Sequence, residues 1–480
     1  MESIWKMDLK LDRVEILPNK ADVVIIGGGM TGILTAFVLS QQNADVILID
    51  GERIAGGITQ NTTAKITSQH GLIYEKLIKG AGKEHAEMYA RANQQAIGQY
   101  RSIIEQFKID CDYKELPHYV YSLESEEQIV KEALAAQKLG LPASAVSEVT
   151  LPFAVKGAVR FEGQAQFHPL KFIEPLAKKL TIFEQTKIRS VEERRVSTEK
   201  GTVSADYVVM AAHYPFVNFP GWYFLRLYQQ RSYVLALRHA ATLDGMYIDA
   251  NSSGYSFRNH EDLLLLGGQG HRAGKHPGNC YRHLEEAAAK FYPESSIAAQ
   301  WSAQDCMSLD GIPYIGAYSR STPNLLVATG YNKWGMTSSM AAAQILTDRI
   351  LGKHNEYAKA FSPHRFHPKL SLAELSSHMK ESSVGLSKGY FHRPLRELSS
   401  IPNGGAGVIR YQGKRVGAYK NDKGEVFLVS AKCPHLGCEL SWNADELTWD
   451  CPCHGSRFDY HGNLIGNPAE EGIKLDKLSR

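Results

Sequence analysis

The sequence predicts a Rossmann-like α/β domain with an inserted α+β part, followed by a small all-β domain. Three features support this fold class: a glycine-rich turn after a buried strand near the start, short alternating strands in the middle, and Cys–His loops among short strands near the end. The 480 residues are enough for at least two domains.

The first motif occupies residues 21–36, where an apolar run leads into Gly27, Gly29 and Gly32. A buried parallel strand followed by a helix explains this pattern. Gly27 permits the tight turn, Gly29 lets a pyrophosphate approach the backbone, and Gly32 allows close helix–strand packing. Asp50 ends the next apolar strand, about 20 residues later, where an acid can bond a ribose hydroxyl. The pattern predicts a dinucleotide site.

Composition is that of an ordinary globular protein, with 43% hydrophobic and 22% charged residues. The net charge is only +3, so we expect no nucleic-acid partner and no attraction to anionic membranes. Residues 1–20 lack the apolar core of a signal peptide, and no segment has the pattern of a membrane span. We therefore expect a cytoplasmic protein without a membrane span.

The middle of the chain alternates between helical and strand patterns. Residues 81–107 and 125–139 have helical spacing, and residues 231–270 contain short apolar runs that predict an antiparallel sheet. Residues 356–389 are rich in His, Ser, Lys and Pro, which indicates a linker, parts of which can be helical and wrap a neighbouring domain.

The last motif contains two short Gly- and Pro-bearing loops rich in Cys and His. Their side chains are Cys433, His435 and Cys438, then Cys451, Cys453 and His454. Two thiolates and two imidazoles suit an iron–sulfur centre in which two His replace two Cys on one iron. A zinc ribbon is the alternative, because Cys and His also bind zinc. The additional Cys pair and the Gly-Ser after the last His favour the iron–sulfur centre.

This spacing resembles the Rieske [2Fe–2S] family, in the subtype with a loop-linking disulfide found in cytochrome bc1 and b6f complexes. The resemblance implies the following roles: Cys433 and Cys451 on one iron, His435 and His454 on the other, a Cys438–Cys453 disulfide, and a Ser456 hydroxyl bonded to a bridging sulfide. Such a disulfide is unusual in a reducing cytosol. The other cysteines, Cys111, Cys280 and Cys306, are expected to be plain core or loop thiols.

Phe458 departs from the high-potential members of that family, which carry Tyr at this position. The missing hydroxyl removes about 1–2 kcal/mol of preference for the reduced cluster, which lowers its potential by roughly 40–90 mV. We therefore expect a relay of middle to low potential. Residues 466–469 resemble the proline-bearing loop that covers the cluster, and an ordinary surface turn is the alternative.

A second resemblance begins at the sequence Gly56-Gly-Ile-Thr59 and continues in residues 310–339. These segments are similar to FAD enzymes such as D-amino-acid oxidase, glycine oxidase and sarcosine oxidase. The resemblance implies an FAD domain of the glutathione-reductase type, with a helix N-terminus directed at the flavin. It adds six expected cofactor contacts: Gly57, Thr59, Gly330, Gly335, Met336 and Thr337. Thr337 replaces the Lys of sarcosine-oxidase-like enzymes, which argues against simple N-methyl-amino-acid oxidation.

Together the two resemblances predict a domain division. Residues 1–20 form an extension, 21–355 the FAD-dependent part, 356–389 a linker and 390–480 the Rieske domain. Within the FAD-dependent part, residues 21–80, 150–220 and 300–355 are expected to bind FAD, and residues 81–149 and 221–299 to form the substrate domain.

Candidate substrate residues are Lys65 and Arg258. Lys65 follows the Gly-Gly turn and is placed near the flavin N5, with a surface lysine as the alternative. Arg258 offers two parallel hydrogen bonds to a substrate carboxylate, with a solvated sheet arginine as the alternative. His168 falls near a segment that packs by the cofactor in the family.

The preferred function is an FAD-dependent oxidoreductase that takes a hydride from an amine or amino-acid-like substrate. A [2Fe–2S] relay would carry electrons to an unknown acceptor, or from an unknown donor in the reverse direction. A Rieske oxygenase is disfavoured, because the His271 and His276 pair lacks the expected carboxylate, its place being taken by Gly268. The remaining alternative is an electron-transfer or redox-sensing protein without turnover.

Overall fold

The computed structural model describes residues 2–11, 14–251, 254–391 and 397–475, without the side chains of 387–391. Its α-helices are α1 Met30–Ser40, α2 Tyr74–Ala81, α3 Lys83–Phe107, α4 Glu126–Lys138, α5 Pro169–Ala177, α6 Cys280–Phe291, α7 Gly335–Ile350, α8 Ala358–Phe361 and α9 Pro368–Phe391. Within the described residues, no helix combines the length and the apolar character needed to cross a bilayer.

The first sheet carries the predicted glycine-rich turn. Its strands are β1 Lys20–Ile26, β2 Val46–Ile49, β7 Thr181–Phe183, β8 Ile188–Glu192, β9 Arg195–Thr198, β10 Gly201–Met210, β16 Tyr314–Ser319 and β17 Thr322–Thr329. The order β16-β17-β10-β1-β2-β7 has β1 parallel to both β2 and β10. Residues 23–26 and 46–49 are buried throughout, as expected for parallel strands covered on both faces.

The second sheet packs beside the first and forms most of the inserted part. Its strands are β3 Lys65–Ile66, β4 Lys114–Ser122, β5 Ala143–Val146, β6 Gly157–Gln166, β11 Leu227–Arg238, β12 Met246–Asp249, β13 Ser256–His260, β14 Leu263–Arg272 and β15 Ser296–Ser308. The strands predicted over residues 231–270 are present as β11 to β14. The main order is β15-β11-β14-β13-β12-β4-β6-β3. We call the two sheets and their helices the N-terminal domain.

The division within the N-terminal domain differs from the sequence-based boundaries at three strands. β3, β6 and most of β15 lie in ranges assigned to FAD binding, yet all three belong to the second sheet. β15 pairs with β11 from Ser308 opposite Leu227 to Ser296 opposite Arg238, and β6 pairs with β4. Hydrogen bonding between strands distant in sequence decides their sheet, and local composition does not reveal it.

The C-terminal domain, residues 397–475, consists of two small antiparallel sheets. One contains β18 Ala406–Tyr411, β19 Lys414–Lys420 and β20 Val426–Ser430, and the other β21 Ser441–Asn443, β22 Thr448–Asp450, β23 Arg457–Asp459 and β24 Leu464–Gly466. The two Cys–His loops, residues 433–438 and 451–456, lie between these strands.

The predicted linker is largely helical, because α9 spans Pro368–Phe391. His378 of α9 is buried, and its Nε2 lies 2.9 Å from the Phe224 carbonyl oxygen of the N-terminal domain. On the other side, a Cβ at Gly385 would lie 2.6 Å from Cys453 Sγ. The helix therefore packs against both domains. The predicted boundary at residue 390 falls at the end of α9, and residues 392–396 lie outside the described residues.

Candidate functional site

A cavity of about 1010 Å³ lies at the carboxyl ends of the parallel strands of the first sheet. This volume is at the upper end of the range for sites that hold drug-sized ligands. The predicted cofactor residues that line it are Gly27, Gly29, Asp50, Gly57, Thr59, Gly330, Gly335 and Met336. Gly32 and Thr337 belong to the predicted set but do not line the cavity.

The glycine-rich turn brings the N-terminus of α1 to the cavity. A Cβ at Gly32 would lie 1.9 Å from the Gly27 carbonyl oxygen, so only glycine lets α1 approach the turn this closely. The Asp50 carboxylate accepts hydrogen bonds from the backbone N–H of Gly28 (2.6 Å) and of Glu52 (2.8 Å). Burial raises the pKa of Asp50. Glycine backbone at a helix N-terminus, with an acid on the next strand, fits a dinucleotide.

The N-terminus of α7 forms another wall of the cavity at Gly335 and Met336. The Thr337 side chain points away from the cavity to Thr67: its hydroxyl donates to the Thr67 carbonyl oxygen (2.8 Å) and accepts from the Thr67 N–H (2.9 Å). The Thr337 side chain therefore joins α7 to the segment after β3, and the cofactor contact expected of Thr337 stays a prediction.

Lys65 and Arg258 lie close to each other, both are buried, and neither is among the residues that line the cavity. The alternatives of a surface lysine and a solvated arginine are therefore wrong. Arg258 Nη1 donates to the carbonyl oxygens of Thr63 (2.6 Å) and Ala64 (2.9 Å), so it holds the segment that leads to Lys65. Arg258 Nη2 has no hydrogen-bond partner among the described residues. The substrate roles of both residues stay predictions.

Burial also sets the protonation of this pair. It lowers the pKa of Lys65 to about 7, with a further contribution from the neighbouring positive charge of Arg258. It lowers the pKa of Arg258 to about 9. His168 lies apart from the cavity: its Nδ1 accepts a hydrogen bond from the Lys171 N–H (3.2 Å) at the start of α5, so it caps a helix.

The titratable residues of the cavity wall that sequence analysis did not place there include His213, Asp305 and Lys333. Burial raises the pKa of Asp305 to about 6 and lowers the pKa of Lys333, and each stabilises the charge of the other. Burial lowers the pKa of His213 to about 4. His213 and Asp305 belong to none of the motifs given above, since a single acid on a strand or a single histidine after one is common. Of these three, only Lys333 could have been found from the sequence, because it lies inside segment 310–339, which resembles FAD enzymes.

The two Cys–His loops bring four free donor atoms together. Cys433 and Cys451 are buried free thiols, and a hydrogen bond from Cys451 lowers the pKa of Cys433 to about 7. The rings of His435 and His454 lie 4.9 Å apart, and the Nδ1 atoms of both are buried without a hydrogen-bond partner among the described residues. Two thiols and two unpartnered imidazole nitrogens fit a mixed Cys–His iron–sulfur centre.

Further contacts tie these loops to each other and to residues 466–469. Cys438 and Cys453 form a disulfide between the loops. Ser456 Oγ accepts a hydrogen bond from the Ala469 N–H (3.0 Å) and also bonds the Cys433 thiol. Phe458 is fully buried in the same apolar cluster as Cys433 and Cys451.

Both imidazoles face the N-terminal domain. His435 Nε2 lies 2.9 Å from Asn218 Oδ1, and the His454 ring bonds the backbone of Phe224. Gln229 Nε2 donates to the His454 carbonyl oxygen (2.7 Å). Gly455 has a φ of +83°, and a Cβ there would lie 2.7 Å from the Gln229 side chain. Glycine at 455 thus permits both the left-handed turn and the close contact between domains.

One segment of the C-terminal domain lies between the two sites. Most residues of segment 462–474 line the cavity, including Asn467 and Ala469. Asn467 Nδ2 donates to the Tyr214 carbonyl oxygen (2.6 Å) of the N-terminal domain. Because Ala469 also bonds Ser456, this segment contacts the cavity and the Cys–His loops at once. Residues 466–469 are therefore not an ordinary surface turn.

Comparison with known proteins agrees with both sites. Residues 22–349 match the family model described as FAD dependent oxidoreductase, and residues 392–476 match the Rieske [2Fe-2S] domain. A Bacillus subtilis protein, YhfW, described as a Rieske 2Fe-2S iron-sulfur protein, is 36% identical over 98% of this chain and 97% of its own length.

Two further relatives cover one domain each. The cytochrome b6-f complex iron-sulfur subunit of Synechococcus elongatus is 43% identical over 51 residues, which are 11% of this chain and 28% of that protein. The crystal structure of glycine oxidase from Geobacillus kaustophilus has a TM-score of 0.61 and 19% identity, and the match covers 73% of this chain and all of that one. At 19% identity this match shows a similarity of fold and nothing about the reaction.

The cavity with its glycine-rich turn, the free Cys and His donor atoms and the extent of these matches lead to one assignment. The chain belongs to the FAD-dependent oxidoreductase family, and it carries a C-terminal Rieske domain, so that its cofactors are FAD and a [2Fe–2S] cluster.

Proposed function

We propose that this protein oxidises an amine or amino-acid-like substrate and passes the electrons one at a time through its Rieske domain to an external acceptor. The observation that carries the proposal is the position of segment 462–474, which lines the cavity and also bonds Ser456 beside the Cys–His loops. A wall shared by the two sites supports electron transfer between them. The reverse flow, from an external donor to the cavity, uses the same contacts.

The residues that would hold the cofactors follow from this geometry. The backbone of Gly27 and Gly29 and the Asp50 carboxylate would bind FAD, with the N-terminus of α7 at its other end. The cluster ligands would be Cys433, His435, Cys451 and His454, through their free Sγ and Nδ1 atoms. When bound, FAD accepts a hydride and the cluster transfers single electrons.

The substrate class is suggested by the charged residues of the cavity. Asp305 offers a carboxylate and Lys333 an ammonium group, and both line the cavity. A substrate with an amino group and a carboxylate complements such a pair. With a pKa raised to about 6, Asp305 can also accept the proton that a substrate ammonium group must lose before its C–H bond is oxidised.

The orientation of the two histidines of the Cys–His loops supports electron transfer between the cluster site and the cavity. His435 bonds Asn218 and His454 bonds the backbone of Phe224, so both rings are directed at the N-terminal domain. His454 is only 4% exposed, which limits direct access by an external molecule at that imidazole.

The test is an anaerobic screen of amines and amino acids with the FAD- and cluster-loaded protein. A substrate should bleach the flavin absorption band and then produce the electron paramagnetic resonance signal of a reduced Rieske cluster. If no compound bleaches the flavin, while a chemically reduced cluster reduces it, the protein is an electron-transfer or redox-sensing protein. If the flavin bleaches but the cluster stays oxidised without oxygen, the relay is contradicted.

A further inference from the structure

Outside the two cofactor sites, three potential metal ligands meet at the edge of the second sheet. His271 lies near the end of β14, His276 in the following loop, and Cys280 is the first residue of α6. We propose that these three side chains bind a zinc ion, which holds the N-terminal domain against the C-terminal domain. The proposal does not depend on the identity of the substrate or on the direction of electron flow.

The distances between the ligand atoms suit tetrahedral zinc. Cys280 Sγ lies 3.8 Å from His276 Nδ1 and 4.0 Å from His271 Nδ1, and the three potential ligand atoms all lie within 4.8 Å of one another. Zinc–sulfur bonds of about 2.3 Å and zinc–nitrogen bonds of about 2.0 Å at a tetrahedral angle place sulfur and nitrogen ~3.6 Å apart. The two sulfur–nitrogen distances therefore exceed the tetrahedral value by only a few tenths of an ångström.

Asp445 supplies the second observation that points to a metal. Its Oδ2 lies 3.2 Å from His276 Nε2, at ion-pair distance but outside hydrogen-bond geometry, on the side of the ring opposite the nitrogen that faces Cys280. A histidine that binds a metal through one nitrogen usually directs the other at a carboxylate, which fixes the ring and its tautomer. The same Asp445 oxygen accepts a hydrogen bond from the Cys280 N–H (2.6 Å).

The choice of zinc follows from the chemistry of the donors. A thiolate with two imidazoles suits zinc, and a fourth position remains for water or for the Tyr233 hydroxyl, which lies 3.5 Å from His276 Nδ1. Binding would displace the thiol proton of Cys280 and the contact of His271 Nδ1 with the Gln269 carbonyl oxygen (3.1 Å). If no metal binds, the only role of these three side chains is to pack as polar groups around the Tyr233 ring.

The position of the site indicates its role. Asp445 belongs to the C-terminal domain, whereas the three ligands belong to the N-terminal domain. Two further hydrogen bonds join the domains here, from the Tyr281 hydroxyl to Glu446 (2.7 Å) and from the Asn443 amide to the Tyr233 hydroxyl (3.2 Å). A zinc ion would fix Cys280, whose N–H donates to Asp445, and His276, whose ring lies beside the same carboxylate.

The experiment measures zinc, iron and flavin in the full-length protein, purified without chelator and equilibrated with zinc sulfate. We expect about one zinc per chain in the wild type, beside the two irons of the cluster. Cys280→Ser and His276→Ala should each lose most of the zinc and keep iron and flavin. His283→Ala, at an exposed histidine of the same helix, should keep all three.

Cobalt provides a readout that does not depend on any variant. Cobalt bound at Cys280 gives an absorption band of sulfur-to-metal charge transfer in the near ultraviolet. No zinc in wild-type protein with a full iron content, together with no cobalt band, would overturn the proposal. Full zinc in both Cys280→Ser and His276→Ala would overturn it too. If Cys280→Ser does not fold, the cobalt spectrum and the His276→Ala zinc content decide.

Discussion

The side-chain amide of Gln229 lies 2.7 Å from the carbonyl oxygen of His454, so the second sheet is bonded directly to a Cys–His loop. Gln304 orients this contact, because it donates to Gln229 Oε1 (2.6 Å) and to the Gly455 carbonyl oxygen (2.7 Å). Arg231 in turn donates to Gln304 Oε1 (2.5 Å). The Gln229 and Gln304 amides thus each donate to a carbonyl oxygen of the loop, and a buried polar network specifies how the domains dock.

Gln229→Leu should weaken this docking. The variant leaves the carbonyl oxygens of His454 and Asn467 without this donor, and an unsatisfied buried polar group costs about 1–3 kcal/mol. We expect slower reduction of the cluster after substrate or chemical reduction of the flavin, measured by stopped-flow absorption. Gln230→Leu is the control, since its side chain points to the opposite face of β11. If the cluster is reduced at the same rate in Gln229→Leu and Gln230→Leu, the Gln229 contact does not contribute to electron transfer.

His454→Ala should abolish the cluster, because the variant removes one of the four free donor atoms. Iron should fall from about two per chain toward zero, and the electron paramagnetic resonance signal of mixed His–Cys ligation should disappear. His461→Ala, at an exposed histidine of the same domain, should keep both. A normal Rieske spectrum in His454→Ala would refute the ligand assignment. Flavin content of the same samples shows whether segment 462–474 keeps its position without the cluster.

Local signals in the sequence predict the parts of the site that local geometry determines. The turn at Gly27 and the packing at Gly32 follow from short spacings, and so do the free donors of Cys433 and His435. The hydrogen bond from the Thr67 N–H to the Thr337 hydroxyl joins residues 270 positions apart, and no short-range pattern in the sequence indicates it. The docking of the C-terminal domain escaped prediction for the same reason, although it supplies one wall of the cavity.

Gly29→Val should expel FAD. Gly29 lines the cavity, and a Cβ there meets only Thr59 Oγ1, at 3.4 Å, so a larger side chain extends into the space where we place the pyrophosphate. The flavin absorption of purified protein should fall at least tenfold. Gly98→Ala is a control in open space on α3. Stoichiometric flavin in Gly29→Val would contradict the assignment of the glycine-rich turn.

Lys65→Met should change how stability depends on pH. Burial lowers the pKa of Lys65 from 10.5 to about 7, so between these values the folded protein binds fewer protons than the unfolded chain. The free energy of unfolding therefore rises with pH above about 7, by up to about 1.4 kcal/mol per pH unit. Below about pH 7 both states are protonated and the buried charge keeps its full cost.

The variant should lose this slope and be more stable than the wild type near pH 7. Thermal unfolding midpoints at several pH values between 6.5 and 9 measure the difference. Lys76→Met, at an exposed lysine on α2, should leave the slope unchanged. A slope in Lys65→Met equal to that of the wild type would mean that Lys65 keeps an ordinary pKa.

The last prediction concerns the hydrogen bonds to the cluster. Phe458 is packed in the apolar cluster that contains Cys433 and Cys451, and Ser456 bonds the Cys433 thiol. Phe458→Tyr should add a donor near a ligating sulfur, and Ser456→Ala should remove one. Since such a bond favours the reduced cluster by about 1–2 kcal/mol, the first change should raise and the second lower the midpoint potential by roughly 40–90 mV.

Protein-film voltammetry on the full-length protein measures both shifts, with His461→Ala as the control. Unchanged potentials in both variants would mean that neither side chain acts on the cluster, and the expectation of a middle- to low-potential relay would lose its basis.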